Sequence, residues 1–199
     1  MQPTVVFRGF EERDIDFVYK CKNDEKLNSM IVGQYHPFTY EEATKWVRGC
    51  IGEHDTYKFW AIATNDDERR IIGWLSLSEI DRLNRKACFH GLVIGDSEYN
   101  DGFAWIESNL FVLSQAFEVY GLNRLYGTHI ADHKTSSFSV PLFFWTFEGV
   151  LREAINKNGD FYDLNYAGIL KDEYFLHKSN GDYDIKSILK RIVNLKKTK

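Results

Sequence analysis

Two side chains in this 199-residue chain combine proton-transfer chemistry with a regular backbone beneath them, Glu79 and His90. Glu79 stands at the end of one segment that reads as a β-strand and His90 on the next. A carboxylate or an imidazole can take up a substrate proton directly or through water. An isolated histidine on an apolar strand also serves as a satisfied structural residue, so His90 carries both readings. Cys88 lies beside them, but the sequence offers it no partnered base, and a covalent intermediate on it is not expected. His36, His54, His129 and His177 are too scattered to compose a metal site, and none is expected. Cys21, Cys50 and Cys88 are odd in number and widely spaced, which argues for buried thiols rather than a disulfide framework or a cysteine zinc site. Glu148, Arg152 and Asp163 form a further charged group whose expected role is structural, as ion pairs fixing the register of a hairpin.

The elements that must hold these residues follow from the apolar periodicity. Val5 to Phe10 reads as a strand, followed from Glu11 by a helix with Ile15, Val18, Tyr19 and Leu27 at helical spacing. A loop over residues 30–40, carrying Gly33 and Pro37, feeds a second helix in which Thr39 caps and Glu42 sits at the third position; that helix is expected to reach about Gly52. Lys58–Thr64, Ile71–Ile80 and Ala87–Ile94 read as three consecutive strands, the last apolar enough to suggest burial on both faces. After the acidic loop Gly95–Asp101, a helix runs from Gly102 to Tyr120 and stops at Gly121. Leu125–Ala131 is a strand and Thr135–Phe144 a short helix. Gly149–Asn156 and Tyr162–Leu170 pair across Lys157-Asn158-Gly159-Asp160 as a hairpin. Residues 183–195 then place Ile185, Ile188, Leu189, Ile192 and Val193 on one helical face.

Composition narrows the function classes. A chain of this length supports one core, and 44% hydrophobic and 16% aromatic residues supply it. No apolar run approaches the ~20 residues of a membrane span, and the N-terminal residues lack the pattern of a secretory signal, so a soluble, cytoplasmic protein without a membrane partner is expected. The net charge of −4 gives no global attraction for nucleic acid. The basic cluster of Lys190, Arg191, Lys196, Lys197 and Lys199 reads as a solvated helix end.

Three strings carry a resemblance. Phe7–Leu27 (FRGFEERDIDFVYKCKNDEKL), residues 71–95 (IIGWLSLSEIDRLNRKACFHGLVIG) and Glu148–Tyr174 (EGVLREAINKNGDFYDLNYAGILKDEY) resemble the opening, central meander and C-terminal string of GNAT-superfamily N-acetyltransferases. The similarity is to the branch acting on ribosomal proteins, polyamines and amino sugars. In the last string Glu148, Gly149, Leu151, Arg152, Glu153, Gly159, Tyr162, Asp163, Leu170, Glu173 and Tyr174 match. The resemblance implies an α/β (α+β) fold, with a central mixed, mostly antiparallel sheet flanked by helices and an extra C-terminal helix. Residues 1–175 would form the acetyltransferase domain and 176–199 an extension bearing the amphipathic helix.

It also implies acetyl-CoA as co-substrate, with Leu92, Val93 and Ile94 pairing with the pantetheine arm. The pyrophosphate would sit on Tyr99, Asn100, Asp101, Gly102, Phe103 and Ala104, because helix-terminal N–H groups and flexible glycine suit an anion. His133 stands where such proteins have an asparagine at the start of the helix after the fifth strand. Tyr35 and His36, with Tyr40, fall in the acceptor-facing loop, where aromatics either stack on a sugar or pin the loop. Of the pyrophosphate positions only Gly102 and Ala104 fit the family pattern. Asp101, Asp96 and Glu98 oppose an anion by about a kcal/mol or less each, so weak acetyl-CoA binding is expected. Val140 stands where a tyrosine often reprotonates the CoA thiolate, and Phe144 where a glycine precedes the family's aromatic, with Pro141 interrupting the same helix.

The expected function is direct transfer of an acetyl group from acetyl-CoA to a primary amine of a small molecule, an amino sugar, a polyamine or a protein N-terminus, with Glu79 and His90 as candidate bases. The alternative is a catalytically degenerate binding module for a CoA thioester or a protein partner. Homodimerisation through the hairpin or the final helix is expected by analogy.

Overall fold

The structure, a computed structural model, describes residues 4–32 and 35–197. Gly33, expected in the long loop, and Lys199, expected in the basic tail, lie outside them. Two compact units result. One comprises the chain up to Ile80 with Cys88–Val112, the other Asp81–Ala87 and the chain from Leu113 onward.

The first unit is built from β1 (Val5–Arg8), α1 (Ile15–Lys22), α2 (Glu25–Asn28), α3 (Tyr40–Cys50), β2 (Lys58–Thr64), β3 (Ile71–Asp81), β4 (Lys86–Ile94) and α4 (Phe103–Ser114). Its strands lie in the order β1-β2-β3-β4, with β1–β2 and β2–β3 antiparallel. On one face Val18 and Cys21 of α1 and Val47 and Cys50 of α3 bury against Ala61 and Trp74. Each fully buried valine contributes ~1.5–3 kcal/mol relative to exposure. Phe111 of α4 stacks on Phe7 at 3.9 Å and meets Trp60 edge-on at 5.5 Å. The chain enters α1 over an ion pair in which Arg8 donates to both carboxylate oxygens of Asp14 at 2.7 and 2.8 Å; Asp14 is 1% exposed. A charge so buried needs that bidentate partner.

Local chemistry sets most boundaries in this unit. Thr39 Oγ1 accepts from the Glu42 N–H at 3.2 Å while Glu42 accepts from the Thr39 N–H at 2.7 Å, the expected capping box of α3. The helix expected from Glu11 through Leu27 is instead broken: a 3₁₀ turn covers Glu12–Asp14, α1 ends at Lys22, and Asp24 caps a separate short helix by accepting from the Leu27 N–H at 2.9 Å. The expected burial of β4 on both faces also fails, since His90 and Gly91 are exposed. Gly91 has φ +73°, a conformation open to glycine that kinks the strand and turns its neighbours outward. After α4, in the residues of the second unit, the backbone widens into a π turn at Gln115–Val119, closed by Tyr120 N–H donating to the Gln115 carbonyl at 2.9 Å, and Gly121 at φ +60° ends it.

The second unit holds β5 (Arg124–Ile130), α5 (Lys134–Leu142), β6 (Thr146–Lys157), β7 (Asp160–Leu170), α6 (Lys171–Ser179) and α7 (Ile185–Lys197). Its strands run β5-β7-β6, antiparallel throughout. The hairpin turns at Asn158 and Gly159, both with positive φ, as a type I′ turn requires. The register of β6 against β7 slips twice, between Phe147 and Gly149 and between Leu151 and Ile155. The charged group expected to set that register is arranged differently. Glu148 pairs with Arg124 of β5 at 2.7 Å, and Asp163 accepts from the Glu153 N–H at 2.8 Å, where Glu153 takes φ +49°. No ion pair joins Arg152 to either carboxylate among the described residues.

α6 follows β7 directly, where no helix was expected, and α5 continues through Pro141, which was expected to interrupt it. Phe144, a bulky residue at φ +60°, is held by the C-terminal segment: the His177 ring stacks on it at 3.6 Å and the Arg191 guanidinium lies 4.0 Å from its centroid. Arg191 also donates to the Leu142 carbonyl at 2.7 Å, and the Tyr183 hydroxyl to the Phe143 carbonyl at 3.3 Å. No helix among the described residues is long and apolar enough to cross a membrane.

Candidate active site

β4 is where the backbone is made exceptional. The Ser76 hydroxyl of β3 donates to the His90 carbonyl immediately before the Gly91 kink. Beyond the kink, Gly73 of β3 lets β4 approach so closely that a Cβ there would lie 2.2 Å from the Val93 carbonyl oxygen. Leu92 and Ile94 are half-buried and Val93 is buried. Glu79 is exposed at φ +52° and His90 is exposed on the kinked strand, so both candidate bases reach solvent from irregular backbone. Burial, helped by the Glu79 charge, pushes the Cys88 thiol up to about 11, which keeps it protonated and unreactive at neutral pH.

The loop after β4 is shaped by its own carboxylates. Gly95 packs on α1, where a Cβ would lie 2.3 Å from Cys21 Sγ. Asp96 accepts from the Glu98 N–H at 3.0 Å and from Arg70 Nη1 at 2.6 Å, and Glu98 lies 4.0 Å from Arg70 Nη2. The Asp96 carboxyl is held below its ordinary value: its own burial, the largest single influence, works against that, and the Arg70 hydrogen bond, the Glu98 N–H and the Arg70 and Lys20 charges together outweigh it. Ser97–Tyr99 form one 3₁₀ turn, Tyr99 half-buried and Asn100 exposed. Asp101 accepts from the Phe103 N–H at 2.9 Å, Gly102 takes φ +91°, and Ala104 is fully buried. The Asp101 carboxylate therefore occupies one of the first-turn N–H groups of α4 that would otherwise face an anion. Arg70 also borders a groove of about 390 Å³ beside α1 that includes the paired Arg8 and Asp14.

Tyr35 and His36 are committed to the loop that carries them. The Tyr35 hydroxyl donates to the Asn23 carbonyl at 3.1 Å, and His36 lies 3.6 Å from Glu42. Tyr40 donates to Asp16 at 2.8 Å.

In the second unit His133 precedes α5 as its cap, with Nδ1 2.8 Å from Ser136 Oγ. A neighbour not among the expected site residues has equal chemical interest. His129 on β5 has Nε2 3.1 Å from Ser137 Oγ and 3.3 Å from Asn165 Nδ2, its register partner on β7. Burial lowers the pKa of both imidazoles, and the neighbouring His133 lowers His129 further, so both are neutral at pH 7. The run HIADHKTSS across a strand–helix junction was the available signal; the Asn165 contact was not visible locally.

The acetyltransferase (GNAT) domain family matches residues 4–137. The uncharacterized N-acetyltransferase YoaA of Bacillus subtilis is 23% identical over 169 residues, covering 84% of this chain and 93% of that protein. Among solved structures, spermidine N-acetyltransferase from Vibrio cholerae, in complex with CoA and spermine, aligns with TM-score 0.74 at 20% identity, over 86% of this chain and 98% of that one. A GNAT-family acetyltransferase from Bacillus anthracis aligns at 0.72 and 20% identity, covering 85% and 96%. These likenesses establish the mixed α/β fold with mostly antiparallel strands and flanking helices, and the chain belongs to the GNAT acetyltransferase family.

Proposed function

We propose that the protein transfers an acetyl group from acetyl-CoA to the primary amine of a small molecule. The observation that carries this reading is the β4 kink: a positive-φ glycine, braced by Ser76, directly precedes Leu92, Val93 and Ile94, the segment assigned to the pantetheine arm. Acetyl-CoA supplies the activated thioester. The first turn of α4, with Tyr99, Asn100, Gly102, Phe103 and Ala104, would take the diphosphate. The support for this assignment is partial. Arg70 draws Asp96 and Glu98 to itself, whereas Asp101 must give up the Phe103 N–H.

The chain's own tasks are to orient the amine and remove its proton. Glu79 or His90, both exposed, takes that proton and passes it to solvent. The Cys88 thiol plays no part, being held protonated. Spermidine acetyltransferase shares this fold, which puts polyamines in the acceptor screen. A second copy docking on Phe147, Val150, Leu151 and Phe161, exposed on the β6–β7 hairpin, would make the working unit a dimer; light scattering reads this directly.

Two features favour a second reading. The self-capping Asp101 and the valine at 140 suit a module that binds without turning over. Isothermal titration with acetyl-CoA at modest salt separates the two. Micromolar binding, followed by turnover that falls in Glu79→Gln or His90→Ala, supports the enzyme, and absence of heat and of a thermal shift rejects it.

A further inference from the structure

Lys22, the last residue of α1, holds its ammonium in a box of three aromatic rings. Nζ lies 4.7 Å from the centroid of Trp46, 5.3 Å from Phe38 and 5.6 Å from Trp74. The side chain is half-buried, and among the described residues no carboxylate pairs with it. Four acidic groups on the surrounding elements are engaged elsewhere, Asp16 by the Tyr40 hydroxyl, Asp24 by the Leu27 N–H, Glu42 by Thr39, and Glu12 by Arg48, while Glu25 of α2 and Glu41 of α3 are exposed and form no ion pair with Lys22. The other groups of note are the buried thiols Cys21 and Cys50, each pushed up to about 12 by burial and so uncharged. Burial lowers the lysine's own pKa, as expected of an ammonium deprived of water without a counter-charge.

Aromatic faces attract a cation but cannot donate an oxyanion's full charge or accept its N–H bonds. A half-buried ammonium faced by rings therefore leaves its N–H donors to water, and a ligand oxyanion replaces that water with charge-assisted hydrogen bonds. The box lies where such a ligand would be met. Phe38 belongs to the loop carrying Tyr35 and His36, the segment expected to face the acceptor.

We propose that the acceptor carries an oxyanion in addition to its amine, that Lys22 binds this oxyanion, and that the partly exposed Phe38 and Trp46 rings receive the acceptor's apolar body, Trp74 backing them from the core. This rests on the acetyl-transfer reading and narrows it. A polycation such as spermidine meets like charge at Lys22 and is a poor acceptor.

The test is direct binding by titration calorimetry without acetyl-CoA, so a failure here is distinct from failure of the acetyl-CoA titration above. The probes are two matched pairs, phenylalanine against 2-phenylethylamine and glucosamine 6-phosphate against glucosamine, with spermidine alongside. In at least one pair the anionic member binds the full-length protein about ten-fold or more tighter, the scale of a charge-assisted hydrogen bond away from bulk water. Lys22→Met removes that preference and Lys22→Arg keeps it. The responding pair distinguishes a carboxylate from a phosphate. Equal binding within both pairs, a preference that survives Lys22→Met, or spermidine outbinding both anionic probes overturns the proposal. The wild-type comparison decides even where Lys22→Met melts early.

Discussion

Replacing Gly73 with alanine tests the close approach of β3 and β4 beneath the proposed thioester segment. The new Cβ would stand 2.2 Å from the Val93 carbonyl oxygen and 3.1 Å from Ile94 Cα, both backbone atoms that cannot rotate away. Ordinary contact needs ~3.5 Å, so β4 must shift by roughly 1 Å. Overpacking of this kind costs ~1–3 kcal/mol, and in a chain of about 200 residues each kcal/mol moves the melting temperature by ~2–4 °C. The expected loss is therefore ~2–12 °C by differential scanning calorimetry, with weaker acetyl-CoA binding because Val93 and Ile94 move. Gly49, in the last turn of α3, is the control. Nothing lies within 4 Å of its Cβ position, so Gly49→Ala is expected to raise stability by ~0.5–1 kcal/mol through helix propensity. A Gly73→Ala protein melting at or above wild type, or a Gly49→Ala protein losing as much, would refute the reasoning.

Three further outcomes are expected. Asp101→Asn keeps a cap on α4 but removes a charge, and should tighten acetyl-CoA roughly three- to ten-fold, on the order of 1 kcal/mol, in calorimetry at low salt; the gain should fade at high salt. His129 and His133 have depressed folded pKa values, so the unfolded chain binds their protons first: stability is full above ~6.5 and falls as the pH drops below it toward the folded values. Urea midpoints should thus decline between about pH 7.5 and 5.5, less so in His129→Asn/His133→Asn. Arg191→Ala removes the donor to the Leu142 carbonyl and the cation over Phe144, at ~2–4 kcal/mol; amide exchange should accelerate in α7 and at Phe143–Trp145 and leave α1 unchanged.

What could be read in advance was local. Thr39 with Glu42, Asn158 with Gly159, and Gly121 each specify a backbone event within four residues, and each appears where expected. Lys171–Ser179 was not legible because KDEYFLHKS has no apolar period. The helix is fixed instead by Glu173 accepting from the Leu170 N–H at 2.8 Å and by Tyr174 stacking on Phe117 at 4.9 Å, a contact far off in sequence. The apolar run of β4 concealed its kink, since a single positive-φ glycine turns His90 outward without changing the hydrophobicity of the string. The strand positions of the candidate residues Glu79, His90 and Leu92–Ile94 were legible, since they follow chain order. Partners that meet across the fold were not: Arg70 with Asp96, His129 with Asn165, Arg124 with Glu148, and Lys22 among its rings.

The two register slips in β6 bear on how the protein behaves at high concentration. As the last strand in its order, β6 carries Phe147, Val150 and Leu151 exposed beside a row of backbone donors and acceptors, the arrangement that recruits further strands into fibrils. Interrupting that row twice leaves no straight stretch long enough to template a stacked neighbour. The strand can then keep an adhesive, greasy surface for a specific companion without seeding polymerisation, and straightening it by deleting one bulge residue should turn a storable protein into one that gels.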